Sequence, residues 1–157
     1  GSAGLGIVRS FGFVAAVQTG SFLGYMTCGY IADRLGRRPA FLMFTLGAAA
    51  LVPFYAQRHA GTALLMTLGP LIGFFGHGYF SIFGSMLAEL FPSSVRGTAQ
   101  GMCYNTGRAV SALAPVVVGA VADGYGIAAG LAITSAFFAL GGVMVRLLPE
   151  TKGGPLE

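Results

Sequence analysis

The sequence predicts an all-α membrane protein with five transmembrane helices. Three observations carry that prediction. Hydrophobic residues make up 55% of the chain and charged residues only 9%, whereas a soluble domain carries about 25% charged residues. Nine basic and five acidic side chains cannot form a polar shell around 157 residues, so a soluble domain is excluded. Long segments also hold no charge at all: residues 10–32, 39–57, 60–88 and 124–145. A helix needs about 20 residues to cross roughly 30 Å of hydrocarbon, and each segment is about that long or longer. Finally, the cations gather in the gaps between apolar segments, where membrane topology explains them.

The spans follow in order. The first, 11–32, begins after Arg9, carries Gln18 and Ser21, and ends on Asp33. The second, 39–57, follows Arg37 and Arg38. The third, 63–88, contains "GFFGHGYF" with His77 and ends at Glu89. The fourth, 97–122, follows Arg96 and is interrupted only by Arg108. The fifth, 126–146, ends on Arg146. Gly20-x-x-x-Gly24, Gly97-x-x-x-Gly101 and Gly126-x-x-x-Gly130 are small-residue ridges that let helices approach closely in lipid. The Gly124-x-Gly126 pair lacks the preceding strand and downstream acid of a dinucleotide loop, so no nucleotide site is expected.

Arginine counting sets the topology. The turn at 33–38, the turn at 89–96 and the segment after 145 hold Arg34, Arg37, Arg38, Arg96, Arg146 and Lys152; the other side holds Arg9 and Arg58, with His59 beside it. Cytoplasmic loops carry the excess of Lys and Arg. The N-terminus of this piece is therefore expected outside and its C-terminus in the cytoplasm, in a multi-pass inner or plasma membrane protein. No basic run is interleaved with aromatics, so nucleic acid is not an expected partner. Cys28 and Cys103 both fall inside spans with no metal-ligand spacing around them, and neither a metal nor a cofactor is expected. No nucleophile–base pair or paired carboxylates point to an enzyme. No signal peptide precedes the first span, and the chain reads as an internal piece of a longer protein.

Polar side chains are unevenly shared. The second and fifth spans carry only Thr45, Gln57, Thr134 and Ser135, whereas the other three carry Gln18, Ser21, His77, Ser81, Asn105 and Arg108. Polar groups in hydrocarbon are costly unless they face protein or a water-filled cavity. Three spans are thus expected to line an interior, and two to pack outside them.

The densest charge cluster is "GYIADRLGRRP", residues 29–39. Gly29 permits a close helix contact and Gly36 a tight turn. Asp33 can accept hydrogen bonds from arginines or from a helix N-terminus. A solvated anchor on the positive side would use the same residues. The spacing Gly29-x-x-x-Asp33-Arg34-x-Gly36-Arg37-Arg38 resembles the loop signature of the major facilitator superfamily. "ELFPSSVRGTAQGMCYNTGR", 89–108, is similar to that family's loop between helices ten and eleven, and "LPETKG", 148–153, to the segment after helix twelve. The resemblance covers essentially the whole chain. It implies helices eight to twelve, part of a six-helix C-terminal bundle; helices two to six are the alternative register. It also implies that the N-terminal half of the same transporter is a partner. In this reading Gly29, Asp33, Arg34, Gly36, Arg37 and Arg38 form a cytoplasmic gate with Glu89 and Arg96, paired when that side is closed.

Arg108 lies eleven residues into its span, roughly 16 Å deep at 1.5 Å per residue. Its planar fork suits a carboxylate; a structural arginine bound to carbonyls is the alternative. Asn105, three residues earlier, is placed to orient Arg108 or to bind substrate. Histidine is the side chain type that changes charge near physiological pH, so His77 suits a proton-coupling or substrate role, or it is a neutral histidine bonded to a neighbouring helix. Gln18 is a fourth substrate candidate. Phe74, Phe75, Phe80 and Phe83 fit helix packing better than a cavity wall. "GMCYNTGR" resembles the metabolite–proton symporter branch. The expected function is a piece of a secondary transporter that moves an organic anion, a carboxylate metabolite, with a proton by alternating access. A sugar porter is the alternative within transport, and a non-transporting or inert membrane fragment the alternative outside it.

Overall fold

The structure is a computed structural model that describes residues 7–55 and 62–151. Gln57, Arg58, His59 and Lys152, named above, lie outside the described residues. The described chain is helical: α1 (Ile7–Leu35), α2 (Arg37–Tyr55), α3 (Thr62–Gly78), α4 (Phe80–Leu90), α5 (Arg96–Ser111), α6 (Ala114–Tyr125) and α7 (Ile127–Met144), the last followed by a 3-10 turn, Val145–Leu147.

These helices form five rods. Only Tyr79 separates α3 from α4, in a stretch where Gly76 and Gly78 weaken the helix. The Ser81 hydroxyl there donates to the Gly78 carbonyl. Between α5 and α6, Pro115 has no N–H to give the Ser111 carbonyl. The helix tightens at that point, with the Leu113 N–H on the Val110 carbonyl. Among the described residues, Met66–Leu90, Arg96–Tyr125 and Ile127–Leu147 are long and apolar enough to cross a membrane. The α1 and α2 rods meet the length, at 29 and 19 residues, but are not among these three. Gln18, Thr19, Ser21 and Thr27 lower the hydropathy of α1, and Arg37 with Arg38 that of α2.

The rods pack most closely where α1 crosses α3. A Cβ built on Gly20 would lie 2.0 Å from the Pro70 carbonyl oxygen, one on Gly24 2.3 Å from that of Phe74, and one on Gly73 2.2 Å from that of Val17. Backbone meets backbone, as the first glycine ridge predicts. The other ridges behave differently. Gly130 rests against Val118, but Gly126 is a turn residue at φ 90°, and Gly97 and Gly101 have nothing of the described chain within 4 Å. Gly29, expected at a close helix contact, also faces open space.

The core sits toward the Gly36 end, around Cys28, Ala32, Ala40, Phe41, Phe44, Ile82, Met86 and Val145. Phe44 stacks on Phe74 at 5.2 Å and tilts against Phe75 at 5.5 Å between ring centroids. Gly78 and Gly47 make room for these rings: a Cβ on either would fall 2.5 Å from Phe44 or Phe75. In lipid such contacts stabilise through dispersion rather than by leaving water. Among the polar groups of the second and fifth rods, Thr45, Thr134 and Ser135 donate their hydroxyl protons to the carbonyls of Phe41, Gly130 and Ala49.

Candidate functional site

Two polar clusters stand out, one among the rods and one at their ends. The first is an open cleft of about 390 Å³ lined by Tyr25, His77, Phe80, Gly84 and Tyr104. Its walls come from α1, the α3–α4 rod and α5, the same three rods that carry the polar residues within the spans. His77 stands one turn beyond Gly73, at the close α1–α3 crossing. Its Nδ1 lies 3.2 Å from the Ser21 hydroxyl, which is itself 3.0 Å from the Val17 carbonyl oxygen. Tyr104 brings Arg108 to the cleft: the guanidinium carbon lies over the Tyr104 ring, 5.8 Å from its centroid. This is a cation–π contact one helical turn apart. Both Arg108 and His77 are exposed.

The Asn105 amide donates to the Gly101 carbonyl at 2.8 Å, and the side chain that touches Arg108 is Tyr104. Gln18 is exposed on α1 but does not line the cleft. Phe80 does line it, whereas Phe74 and Phe75 pack in the core. Tyr25 and Tyr104 were not singled out by sequence reasoning. The i, i+4 spacing of Tyr104 and Arg108 is the signal that points to Tyr104; Tyr25 has no such signal in the sequence.

The second cluster gathers the ends of α1, α2 and α4 with the segment after α7. Arg37 is its hub. One guanidinium nitrogen lies 2.7 Å from Asp33, and two others form a fork on Glu89, at 3.1 Å and 3.4 Å. The Glu89 hydrogen bond, first in size, and the Asp33 pair push the Arg37 pKa up, against a partial opposing effect of burial. Arg37 and Glu89 are shielded, at 17% and 16% side-chain exposure, while Asp33 is 70% exposed. Arg96 donates from Nε to the Phe91 carbonyl. Arg34 stacks on Tyr30 at 4.4 Å.

Glu150 and Thr151 complete the cluster, and sequence reasoning gave neither a role. Glu150 accepts the backbone N–H groups of Arg37 and Arg38, at 2.8 Å and 3.1 Å. These are unsatisfied donors of the first turn of α2, where a carboxylate is favoured by the helix dipole. Gly36 makes the approach possible twice over. Its φ is 113°, which glycine adopts without a steric penalty, and a Cβ there would meet the Glu150 carboxylate at 3.0 Å. The Thr151 hydroxyl donates to Glu89, and the Arg38 guanidinium to the Arg146 carbonyl. The turns at 33–38 and 89–91 and the segment after residue 145 therefore meet at one end of the rods.

The sequence matches a family model described as Major Facilitator Superfamily over residues 3–156. A Haemophilus influenzae protein provisionally named a metabolite transport protein is 34% identical over 98% of this chain and 38% of its own length. One from Cupriavidus pinatubonensis, provisionally named a 4-methylmuconolactone transporter, is 36% identical over 88% of this chain and 32% of its own. The cis,cis-muconate transport protein of Acinetobacter baylyi is 32% identical over 89% of this chain and 34% of its own. The chain thus spans about a third to two-fifths of the length of these relatives.

Proposed function

This chain belongs to the Major Facilitator Superfamily, and from that membership we propose that it is helices eight to twelve of a secondary transporter. The whole protein carries an organic anion, a carboxylate metabolite, together with a proton, and the rest of the same polypeptide supplies its N-terminal half. The aromatic cleft that joins His77 to Arg108 through Tyr104 carries this reading. A guanidinium and an imidazole among membrane rods are costly unless they face protein, a water-filled cavity or a polar ligand. The Arg108 fork suits a carboxylate, and the rings of Tyr25, Phe80 and Tyr104 suit a flat carbon skeleton beside it. Relatives named for cis,cis-muconate, niacin and D-galactonate carry the same chemical class.

The end cluster acts as the gate. Asp33, Arg37, Glu89 and Glu150 hold the ends of the rods together in one state and part in the other, as alternating access requires. That end faces the cytoplasm, by the excess of arginine there. Arg34, Arg38 and Arg96 bring further positive charge to the same end.

Uptake by the full-length polypeptide in proteoliposomes tests the reading. Labelled cis,cis-muconate is expected to accumulate under an inward proton gradient and stall without one. Arg108→Ala is expected to lower kcat/KM about 10–100-fold, the range for losing a hydrogen bond to a charged group. The second reading, a sugar porter, is favoured by the Pro149-Glu150-Thr151 ending and by a Zymomonas mobilis glucose facilitated diffusion protein 28% identical over 149 residues. Glucose uptake indifferent to the gradient, with none of muconate, would establish it instead.

A further inference from the structure

The contact between Ser21 and His77 carries more information than its length. A hydroxyl has one proton to donate, and Ser21 has two polar neighbours, the Val17 carbonyl oxygen at 3.0 Å and His77 Nδ1 at 3.2 Å. The carbonyl can only accept. Both contacts are hydrogen bonds only when Ser21 gives its proton to Val17 and Nδ1 gives its own to Ser21. In a low-dielectric interior the fully satisfied arrangement wins. Packing holds the three groups in place. Ser21 is 5% exposed, and the position of a Cβ on Gly73 is 3.0 Å from the Ser21 hydroxyl oxygen. The α3 backbone thus presses on Ser21 one turn before His77.

We infer that Ser21 is a positioning residue that holds neutral His77 in its Nδ1–H form, leaving Nε2 as the atom that takes up the transported proton. The inference rests on the proton coupling proposed above. The Nε2 lone pair accepts a proton from water on one side and the imidazolium releases it to water on the other, while the Nδ1–H bond stays intact throughout. The groups around the imidazole leave that task to it. From α1 come Tyr25 and, a turn further, buried Cys28; from α5 comes Tyr104, with Arg108 over its ring. Phe44 of α2 and Phe138 of α7 flank Gly78 and Gly76, and the Ser81 hydroxyl is spent on the Gly78 carbonyl. No carboxylate lines the cleft among the described residues. A proton on Nε2 adds a second positive charge to a cleft that Arg108 already makes positive. A bound carboxylate offsets both, so anion and proton favour each other's entry.

The test is 15N NMR of the histidine ring in the full-length polypeptide in bilayers, at alkaline pH, with His77 assigned by its loss in His77→Gln. The wild-type protein is expected to show Nδ1 as the protonated nitrogen. Ser21→Ala, which removes one oxygen and adds nothing to the crossing, is expected to move signal toward the Nε2–H form. It is also expected to displace the pH profile of gradient-driven uptake by about half a pH unit or more, with KM for muconate at saturating proton within about twofold. An Nε2–H form in the wild type overturns the inference, as does a Ser21→Ala variant with an unaltered spectrum and profile. Gradient-driven uptake at the wild-type rate by His77→Gln overturns the proton assignment alone. Absence of muconate uptake by the wild-type protein speaks against the organic-anion reading and leaves the tautomer measurement intact.

Discussion

The α1 rod and the α5–α6 rod carry the same Gly-x-x-x-Gly spacing and use it in opposite ways. On α1, Gly20 and Gly24 lie against the carbonyls of Pro70 and Phe74, closer than any side chain permits. On α5, Gly97 and Gly101 meet nothing of the described chain, and neither α5 nor α6 holds a buried residue. Spacing of small residues therefore grants permission for a close approach and does not choose the partner. On α1 the partner is within the chain, and its own glycines, Gly69 and Gly73, complete the fit. The relatives are two and a half to three times longer than the piece they share with this chain. On the reading proposed above, the open face of α5 is where the N-terminal half would have room to pack.

The sharpest way to break the comparison is to place the same side chain on both rods. In the full-length protein, Gly24→Leu is expected to cost about 3 kcal/mol or more, at the upper end for overpacking, because the obstructing atoms are backbone. It should also remove most of the folded protein recovered in detergent. Gly101→Leu is expected to stay within about 1 kcal/mol, because nothing of the described chain obstructs it, and a loss as large as that of Gly24→Leu would place a closely packed helix on it. Thermal unfolding followed by size-exclusion chromatography reads both. Next comes Phe44→Ala, which empties the aromatic centre of the core and is expected to cost about 3 kcal/mol. Small stability changes are expected in the proposed gate. Asp33→Asn, at the exposed end of the pair, is expected to change stability by about 0.5 kcal/mol or less. Glu89→Gln, on the shielded side, should cost about 1 kcal/mol. Both variants, like Arg37→Ala, should nonetheless insert normally and lose transport. Uptake at the wild-type rate in all three would reduce the cluster to a solvated anchor.

Much of this architecture is legible in the sequence because hydrocarbon imposes a simple rule on it. Apolar runs of span length, broken by clustered charges, give five rods and bring the Asp33, Glu89 and Glu150 regions to one end. The polar census also separates the rods that line the cleft from α2 and α7. Local pattern could not supply contacts between residues distant in the chain. Glu150 lies in a recognisable "LPETKG" segment, yet its place on the first turn of α2, 113 residues earlier, depends on how α7 packs against α2. The break beside His77 was equally hidden, since Gly76 and Gly78 are as compatible with a continuous membrane helix as with a turn. For Asn105 the sequence offered Arg108 or a substrate as partner and did not reveal the bond to the Gly101 carbonyl, because an amide can return to its own helix one turn back.

The glutamate clasped under Gly36 ties the beginning of the described chain to its end. During synthesis α2 emerges long before residue 150 does, so its first amides have only water or other polar groups to bond until Glu150 follows. The clasp closes only once α7 has packed against α2.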